Sequence, residues 1–206
     1  MKTLIGIRAV FVKAAGFFAV MTVLCGVVYP LFITGVSRVF FGDASKGSII
    51  EVDGVKYGSA LLAQEFTSEQ YLWGRIMNVD TSTYAGADGE PLAYAGPSNK
   101  TPAGEELETL VAERVEKLKN AHPEMGEEPI PVDLVTCSGS GLDPHISPEA
   151  AAYQAERIAR ARGLAVSQVE AVIDRYTSGK FLGFLGEDTV NVLEVNLALD
   201  GILKDE

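Results

Sequence analysis

The N-terminal part of the chain contains a long run of residues without a single charged side chain. The run covers residues 14–37 and has the sequence AAGFFAVMTVLCGVVYPLFITGVS. As a helix it would be about 36 Å long at about 1.5 Å per residue, which is enough to cross the hydrocarbon core of a bilayer. Gly26, Pro30 and Gly35 fall inside it, and such residues are more frequent in membrane helices than in soluble ones. The pattern therefore predicts one transmembrane helix over residues 14–37.

A cleaved signal peptide, a lipidated cysteine and a buried hairpin fit this run less well. The apolar region of a signal peptide is only about 7–15 residues long and ends at a small-residue cleavage site, and no convincing site follows here. Lipid attachment at Cys25 is disfavoured because the bulky Leu24 precedes it. A hairpin buried in a soluble core stays open as the alternative to an uncleaved anchor.

The charges on either side of the run predict its orientation. Lys2, Arg8 and Lys13 precede it without any acidic residue, whereas Arg38 and Lys46 follow it with Asp43 beside them. Because positively charged flanks are retained in the cytoplasm, we expect residues 1–13 to be cytoplasmic. The remainder, residues 38–206, would then form an extracytoplasmic domain of a single-pass protein.

Helical and turn patterns follow in the remainder. Apolar residues recur at helical spacing from Glu105 to Ala121, and Ser147 followed by Pro148 starts a helix that we expect to reach about Arg162. A second short helix is predicted over residues 167–176. The pair Asp53-Gly54 lies between two β-rich runs and predicts a hairpin.

Strand patterns are shorter. Residues 131–137, with the sequence PVDLVTC, predict a buried strand, and the alternation of Leu193, Val195 and Leu197 predicts another near the C-terminus. Residues 76–104 are rich in small and polar residues without a sustained period, which favours a long ordered loop or an insertion. Helices and strands in this mixture predict an α+β fold class for the domain after the anchor.

Composition excludes some partners. The formal net charge is −11, and removing the three basic residues of the first 13 leaves 17 − 3 = 14 basic against 28 acidic groups, or −14. Nucleic acid and anionic lipid surfaces are therefore poor partners for the domain. The two cysteines, Cys25 and Cys137, do not form a disulfide framework, because one lies in the apolar run and the other lies far along the chain.

The densest group of chemically active residues lies in the stretch CSGSGLDPHISPEAA, which begins at Cys137. A nucleophile elbow needs Gly-x-Ser-x-Gly, and neither Ser138 nor Ser140 has the first glycine. The phosphate-binding glycine patterns are incomplete. Asp143 and His145 are too few to form a metal site. A structural turn that also contacts a partner is the favoured interpretation. The alternatives are a membrane-anchored hydrolase or nucleotide-handling enzyme that uses these serines or the histidine, and a cation-sensing module that uses the acidic residues.

Long motifs in this part of the chain resemble the KdpC family, the C subunits of the Kdp potassium-transporting P-type ATPases. They are VDLVTCSGSGLDPHISPEAA, QAERIARARGL and GKFLGFLGEDTVNVLEVNLALD, and earlier segments such as VLCGVVYPLFITG, GSALLAQEF and YLWGR agree in order. The resemblance implies a non-catalytic accessory subunit of an ATP-driven, high-affinity potassium import complex in the bacterial inner membrane. Expected partners are the potassium-translocating subunit, the ATP-hydrolysing subunit and a small fourth peptide.

The resemblance also implies a role as a catalytic chaperone that raises the ATP affinity of the hydrolysing subunit. The nucleotide contact proposed for the family corresponds to Gln64 here. No cofactor of the chain's own is expected; ATP would be shared with the hydrolysing subunit, and potassium is the transported ion. Because ATP is cytoplasmic and Gln64 is predicted to be outside, an effect on ATP affinity would be transmitted through the membrane parts.

Partner contacts are expected at three places. The span would dock through Gly26 and Gly35, which could instead only bend the helix or face lipid. Trp73 and Arg75 belong to the residue types favoured at interfaces, with a core position and a surface ion pair as the alternatives. The third place is the loop itself, whose candidate residues are Ser138, Gly139, Ser140, Gly141, Leu142, Asp143, Pro144 and His145.

Overall fold

The computed structural model describes residues 2–204, and it describes only the backbone for residues 2–7 and Ala9. The predicted segments 1–13 and 38–206 therefore extend beyond the described residues at Met1 and at 205–206, and the Lys2 side chain used for the orientation also lies outside them. The chain divides into two compact units, Met1–Ser48 and Ile49–Glu206.

The first unit consists mainly of one helical run. Helix α1 (Lys2–Val23) continues through a π-helical turn (Leu24–Val28) into helix α2 (Tyr29–Phe40). Within it, Val10–Phe40 is long and apolar enough to cross a membrane, and none of its most apolar part is buried. This stretch contains the predicted span 14–37, which agrees with a membrane anchor and disfavours the buried hairpin.

The π-helical turn has a local cause in the sequence. Pro30 is the second residue of α2, and a proline inside a helix lacks the N–H group and crowds the carbonyl four residues earlier. That carbonyl belongs to Gly26, which lies within the π-helical turn. Widening the helix by one residue at this point relieves the crowding, as π-bulges commonly do.

The second unit begins with two hairpins. Strands β1 (Ile49–Val52) and β2 (Val55–Ser59) pair antiparallel. Asp53 and Gly54 between them have φ values of 53° and 80°, as a type I′ turn requires, so this predicted hairpin is confirmed. Strands β3 (Val79–Ala85) and β4 (Pro91–Ala95) form the second hairpin.

Helices and one small sheet build the rest of this unit. A three-stranded antiparallel sheet has β7 (Thr189–Asn191) between β5 (His145–Ile146) and β6 (Thr177–Ser178). The helices surround a core that contains Leu72, Trp73, Leu118, Ile158 and Val195, all at most 3% exposed. The remaining elements are α3 (Glu105–Ala121), α4 (Pro148–Ala152), α5 (Ala155–Arg162), α6 (Val166–Arg175) and α7 (Val192–Leu199).

An irregular segment, Tyr71–Trp73, passes through this core, and buried side-chain amides pair with its backbone. The Asn196 amide accepts a hydrogen bond from the Leu72 N–H (2.7 Å) and donates one to the Leu72 carbonyl (2.9 Å). The Gln154 amide does the same for Trp73, at 2.9 and 3.0 Å. Because an unpaired buried peptide group costs about 1–3 kcal/mol, these two amides allow a segment without regular structure to be buried.

Arg157 completes this arrangement, and it is fully buried. Its guanidinium donates to the carbonyls of Glu69 and Tyr71 and to the Gln154 side chain, and lies 4.1 Å from the centre of the Trp73 ring. Its Nε donates to Nε2 of His122 at 2.9 Å. Burial lowers the pKa of Arg157 to about 10, so the side chain is still charged at neutral pH.

His122 is also a core residue, although its neighbour Pro123 favours a linker in the sequence. It is 1% exposed, and its Nδ1 contacts the Leu118 carbonyl at 2.8 Å. Since Nε2 accepts from Arg157, the ring is neutral and carries its proton on Nδ1. Burial is the main cause that lowers the pKa of His122, and the positive charge of Arg157 adds to it.

Helix predictions are confirmed with one change. Helix α3 has the predicted bounds, Ser147 caps α4 by accepting from the Ala150 N–H at 3.2 Å, and Gly163 ends α5 with φ 67°. The single helix expected from Ser147 to Arg162 is in fact two, because the chain is interrupted between Ala152 and Ala155. The interruption brings Gln154 into the core.

Three strand or loop predictions are wrong. Residues 76–104 are not a continuous loop, since they contain the β3–β4 hairpin. Residues 131–137 form a 3-10 turn, Val132–Leu134, and only an isolated bridge at Cys137. The alternating residues after Asn191 form helix α7, because the Asn191 side chain caps it by accepting from the Glu194 N–H at 3.1 Å.

We expect Arg157→Met to lower the free energy of unfolding of the full chain in detergent by about 3–5 kcal/mol, because it leaves buried carbonyl groups and His122 without a donor. The measurement is denaturant unfolding followed by Trp73 fluorescence. Arg160→Met is the matched control. Arg160 lies one turn later, has about half of its side chain exposed and pairs with the single carboxylate of Glu124, so its loss should cost clearly less than the loss of Arg157. Equal losses for the two variants would contradict the role given to Arg157.

Candidate functional site

The loop 138–147, which carries most of the predicted contact residues, is held together by its own hydroxyl groups. Ser138 Oγ lies 3.1 Å from Ser140 Oγ and accepts from the Gly141 N–H at 3.0 Å. Ser140 Oγ accepts from the Leu142 N–H at 3.3 Å. Gly139 and Ser140 are exposed and Ser138 is half-buried, so residues 138–140 form the accessible tip of the loop.

Gly141 lies where the loop meets the β3–β4 hairpin. Its φ is 73°, and a Cβ there would lie 2.5 Å from the Gly96 carbonyl oxygen and 2.8 Å from the Asn78 carbonyl oxygen. The Asn78 N–H donates to the Gly141 carbonyl at 3.0 Å, and the Asn78 amide donates to the Gly96 carbonyl at 2.9 Å. Only glycine fits this left-handed position against two backbones.

The second half of the loop is bound to two further segments. The Ala63 N–H donates to the Leu142 carbonyl, and the Val192 N–H donates to the Pro144 carbonyl, each at 3.0 Å. Pro144 is buried, while Leu142 is half-buried. The loop therefore joins segments that are far apart in sequence, and these hydrogen bonds fix its backbone conformation.

An ion-pair network closes the base of the loop. Arg75 pairs with Asp133 and, through its Nε, with Asp143 Oδ2 at 3.4 Å. Asp133 also accepts from the Ser147 N–H at 2.8 Å, and Asp143 accepts from the His145 N–H at 3.0 Å. The second bond is the Asx-turn that an aspartate at this position favours. Arg75 thus connects the two aspartates that fix both ends of the segment 143–147.

His145 faces carboxylate and amide groups. Its Nδ1 lies 3.6 Å from Asp143 Oδ1, and its Nε2 lies 3.5 Å from the Asn191 amide nitrogen. Glu194 lies nearby, and burial raises the pKa of its carboxyl group. Among the hydrogen bonds of residues 2–204, none joins His145 to Ser138 or Ser140, so this arrangement gives no support to a serine nucleophile.

Gln64, the residue for which the resemblance implies a nucleotide contact, is exposed, and its amide donates to the Tyr57 carbonyl at 2.8 Å. It lines a polar cleft of about 290 Å³. Arg75, Arg114 and Lys117 line the same cleft, with Glu65 as the opposing charge. Burial lowers the pKa of Arg114, which Glu65 partly offsets.

Trp73 does not present its ring to the surface. It is 3% exposed, its indole N–H donates to the Ser68 carbonyl at 2.9 Å, and Lys117 and Arg157 lie over its ring. Trp73 therefore has a core position, which is the alternative to an interface anchor. Arg75 is half-buried in its ion pairs, and contact with a partner through it stays a prediction.

The span residues belong to the first unit. Gly26 lies in the π-helical turn and Gly35 in α2, and a Cβ on either would meet no atom within 4 Å. Their surfaces are open for packing against another helix, and that contact also stays a prediction. In the part of the chain that the structure describes, no group of three or more His, Cys, Asp or Glu residues could hold a metal ion.

Comparison with known proteins identifies the family. Residues 11–201 match the family described as KdpC: K+-transporting ATPase, c chain. The chain belongs to the KdpC family. A KdpC relative from Clostridium botulinum is 60% identical over 197 residues, covering 96% of this chain and 98% of its own. Relatives from Clostridium perfringens and Paraburkholderia phytofirmans are 58% and 49% identical, over 90% and 89% of this chain and 94% and 92% of their own. Each of the three is named Potassium-transporting ATPase KdpC subunit.

Two residues that position the loop 138–147 are not among the predicted ones. The sequence pattern places Asp133 in a strand, which gives no reason to expect its pairing with Arg75. Asn78 falls in the region that the pattern predicts to be an irregular loop. A signal for Asp133 exists: an acidic residue among apolar ones in PVDLV is seldom buried without a cationic or N–H partner.

We expect Gly141→Ala to lower the free energy of unfolding by at least about 2 kcal/mol, because alanine is strained at this φ and its Cβ overlaps two carbonyl oxygens. Gly139→Ala is the matched control in the same loop, since no atom lies within 4 Å of its Cβ position and its φ is not left-handed. Its effect should stay within about 0.5 kcal/mol. Denaturant unfolding of both variants measures the difference, and a tolerated Gly141→Ala would show that the loop is not fixed at this position.

Proposed function

We propose that this chain is an accessory subunit, without a reaction of its own, of an ATP-driven potassium import complex. It would assemble with and stabilise a potassium-translocating subunit, an ATP-hydrolysing P-type subunit and a small fourth peptide. The observation that carries the proposal is its membership of the KdpC family over residues 11–201. Its clostridial relatives are named as subunits of a potassium-transporting ATPase.

The geometry of the loop 138–147 supports a contact role better than a catalytic one. Its two serine hydroxyls accept hydrogen bonds from N–H groups of the loop itself, which is what a rigid turn requires. Its base is fixed by Arg75 and its course by Gly141. A preorganised, exposed tip loses little conformational freedom on binding, and this favours recognition by a neighbouring subunit.

The membrane anchor gives the proposal its topology. Val10–Phe40 can cross a bilayer once, and Arg8 and Lys13 precede its central part, which by the positive-inside rule keeps the N-terminus in the cytoplasm. In our proposal the second unit lies outside the cytoplasm, on the side from which potassium enters. Gly26 and Gly35 would permit close packing of the span against partner helices.

This topology separates the second unit from cytoplasmic ATP. We therefore propose that Gln64 has a local structural role, holding β2 through its hydrogen bond to Tyr57, and does not contact nucleotide. A catalytic-chaperone effect, in which the ATP affinity of the hydrolysing subunit rises, would then pass through the membrane-embedded subunits. It would be a coupling between distant sites rather than a shared ligand.

We expect Gly139→Trp to remove this chain from the complex. Gly139 is exposed with free space around it, so the chain itself should tolerate the large side chain, whereas a partner surface packed on the tip should not. The measurement is the amount of this chain that copurifies with affinity-tagged hydrolysing subunit from detergent-solubilised membranes. We expect at least a tenfold decrease, about 1.4 kcal/mol of association free energy.

The control is Gly139→Ala, which should copurify at the wild-type level. The melting temperatures of both variants, measured on the isolated full chain, should equal that of the wild type, so that misfolding does not explain the loss. Failure of the wild-type chain to copurify would contradict the accessory-subunit proposal. Full assembly of the tryptophan variant would contradict only the use of the loop tip as a contact.

A further inference from the structure

The connection between β6 and β7 exposes a group of large apolar side chains. In residues 180–187, here named the apolar turn, Phe181 and Leu182 are each 70% exposed, Phe184 is 71% exposed and Leu185 is 49% exposed. Isolated exposed apolar residues are ordinary on a protein surface, but a contiguous group marks a site of interaction. The four residues fall within five consecutive positions, so they form one such group.

The turn has a defined conformation. The Phe181 N–H donates to the Leu185 carbonyl at 2.8 Å, and the Leu185 N–H donates to the Phe181 carbonyl at 2.9 Å. Leu182 has φ 55° and Gly183 has φ 79°, both left-handed. Leucine seldom adopts that conformation. Leu182 adopts it here, and its large apolar side chain is exposed to solvent.

Charged residues close the base of the turn. Lys180 Nζ pairs with Glu187 at 3.0 Å, and the Lys180 N–H donates to Asp188 Oδ1 at 3.1 Å. The apolar residues therefore stand on a base with one cation and two carboxylates. Lys180 is already paired, so the net charge at this base is negative.

The position of the turn separates it from the loop 138–147. Thr177 is opposite Val190 and Ser178 opposite Thr189, while His145 is opposite Asn191. The apolar turn therefore connects Ser178 and Thr189 at one end of the small sheet. The loop 138–147 enters the sheet at the opposite end, where His145 is paired with Asn191. The apolar turn is therefore a second surface, distinct from the predicted contact loop 138–147.

The acidic base argues against a lipid surface as the occupant. Segments that bind an anionic bilayer surface carry free Lys or Arg residues beside their Trp, Phe or Leu residues. The turn has such apolar residues, but its one lysine is paired and it has no arginine. Residues 14–206, which include it, carry a formal charge of 14 − 28 = −14. A protein pocket with a basic rim complements both its apolar tip and its charge.

We propose that the apolar turn inserts into an apolar pocket with a basic rim on another subunit of the transport complex. This inference rests on the proposed function, because it requires the chain to be assembled with partner subunits. Phe181 and Phe184 would be the central anchors, and Glu187 and Asp188 would meet the cationic rim. Because the turn is already ordered, insertion would cost little conformational entropy.

The test places a photo-crosslinking residue at position 184 of the full chain within the assembled, membrane-embedded complex. We expect irradiation to link this chain to one other subunit, which mass spectrometry would identify. The same residue at position 132 is the matched control: Val132 is 66% exposed but stands outside the turn, so its crosslinks should be at least tenfold fewer. Crosslinks from position 184 to lipid alone, or none above the control, would overturn the inference.

A second variant tests the anchors directly. Phe181→Ser/Phe184→Ser should lower copurification with the tagged hydrolysing subunit at least tenfold, while Val132→Ser should leave it unchanged. Both sites are exposed, so the melting temperature of the isolated chain should be unaffected. If the wild type assembles and the double variant assembles equally well, the inference fails and the accessory role stands. If the wild type does not assemble, both fail.

Discussion

The second unit depends on a buried polar contact, in which the side chains of Gln154, Arg157 and Asn196 pair with the backbone of the segment Tyr71–Trp73. This segment crosses the core without belonging to a helix or a sheet, so its peptide groups have no regular partner. Each would cost about 1–3 kcal/mol if left unpaired away from water. The three side chains supply the missing donors and acceptors, and the small apolar core can then close around Leu72 and Trp73.

The fixed conformation of the loop 138–147 depends on this buried segment. Arg75 follows Trp73 by two residues, and it pairs with the aspartates that fix the base of the loop. Gly141 then fits against the backbone of the second hairpin. A chain of contacts therefore leads from Arg157 in the core to the exposed Gly139. This explains how a unit with so little regular sheet has a rigid, exposed loop tip.

Sequence patterns predict the elements whose signal is local. Asp53-Gly54 indicates the first hairpin, and Ser147 and Gly163 mark helix ends, because these residues act on the nearest backbone groups. The alternation of Leu193, Val195 and Leu197 is misleading: α7 is buried on nearly all sides, so it has no polar face that would reveal a helical period. Strand β3 is largely exposed and lacks the apolar alternation that a half-buried strand shows. The pairings of Arg75 with Asp133 and of Arg157 with His122 join distant residues, and no local pattern encodes them.

The central claim is that a single span tethers a unit that works outside the cytoplasm by contact with a potassium pump. The most direct measurement is the accessibility of a single cysteine at Glu170, in a chain with Cys25→Ser and Cys137→Ser, to a membrane-impermeant maleimide in intact cells. Glu170 is exposed on α6, outside both proposed contact surfaces. A cysteine at Thr3 serves as the cytoplasmic reference. We predict that position 170 reacts in intact cells and position 3 only after lysis. Reaction of position 170 only after lysis would contradict the account.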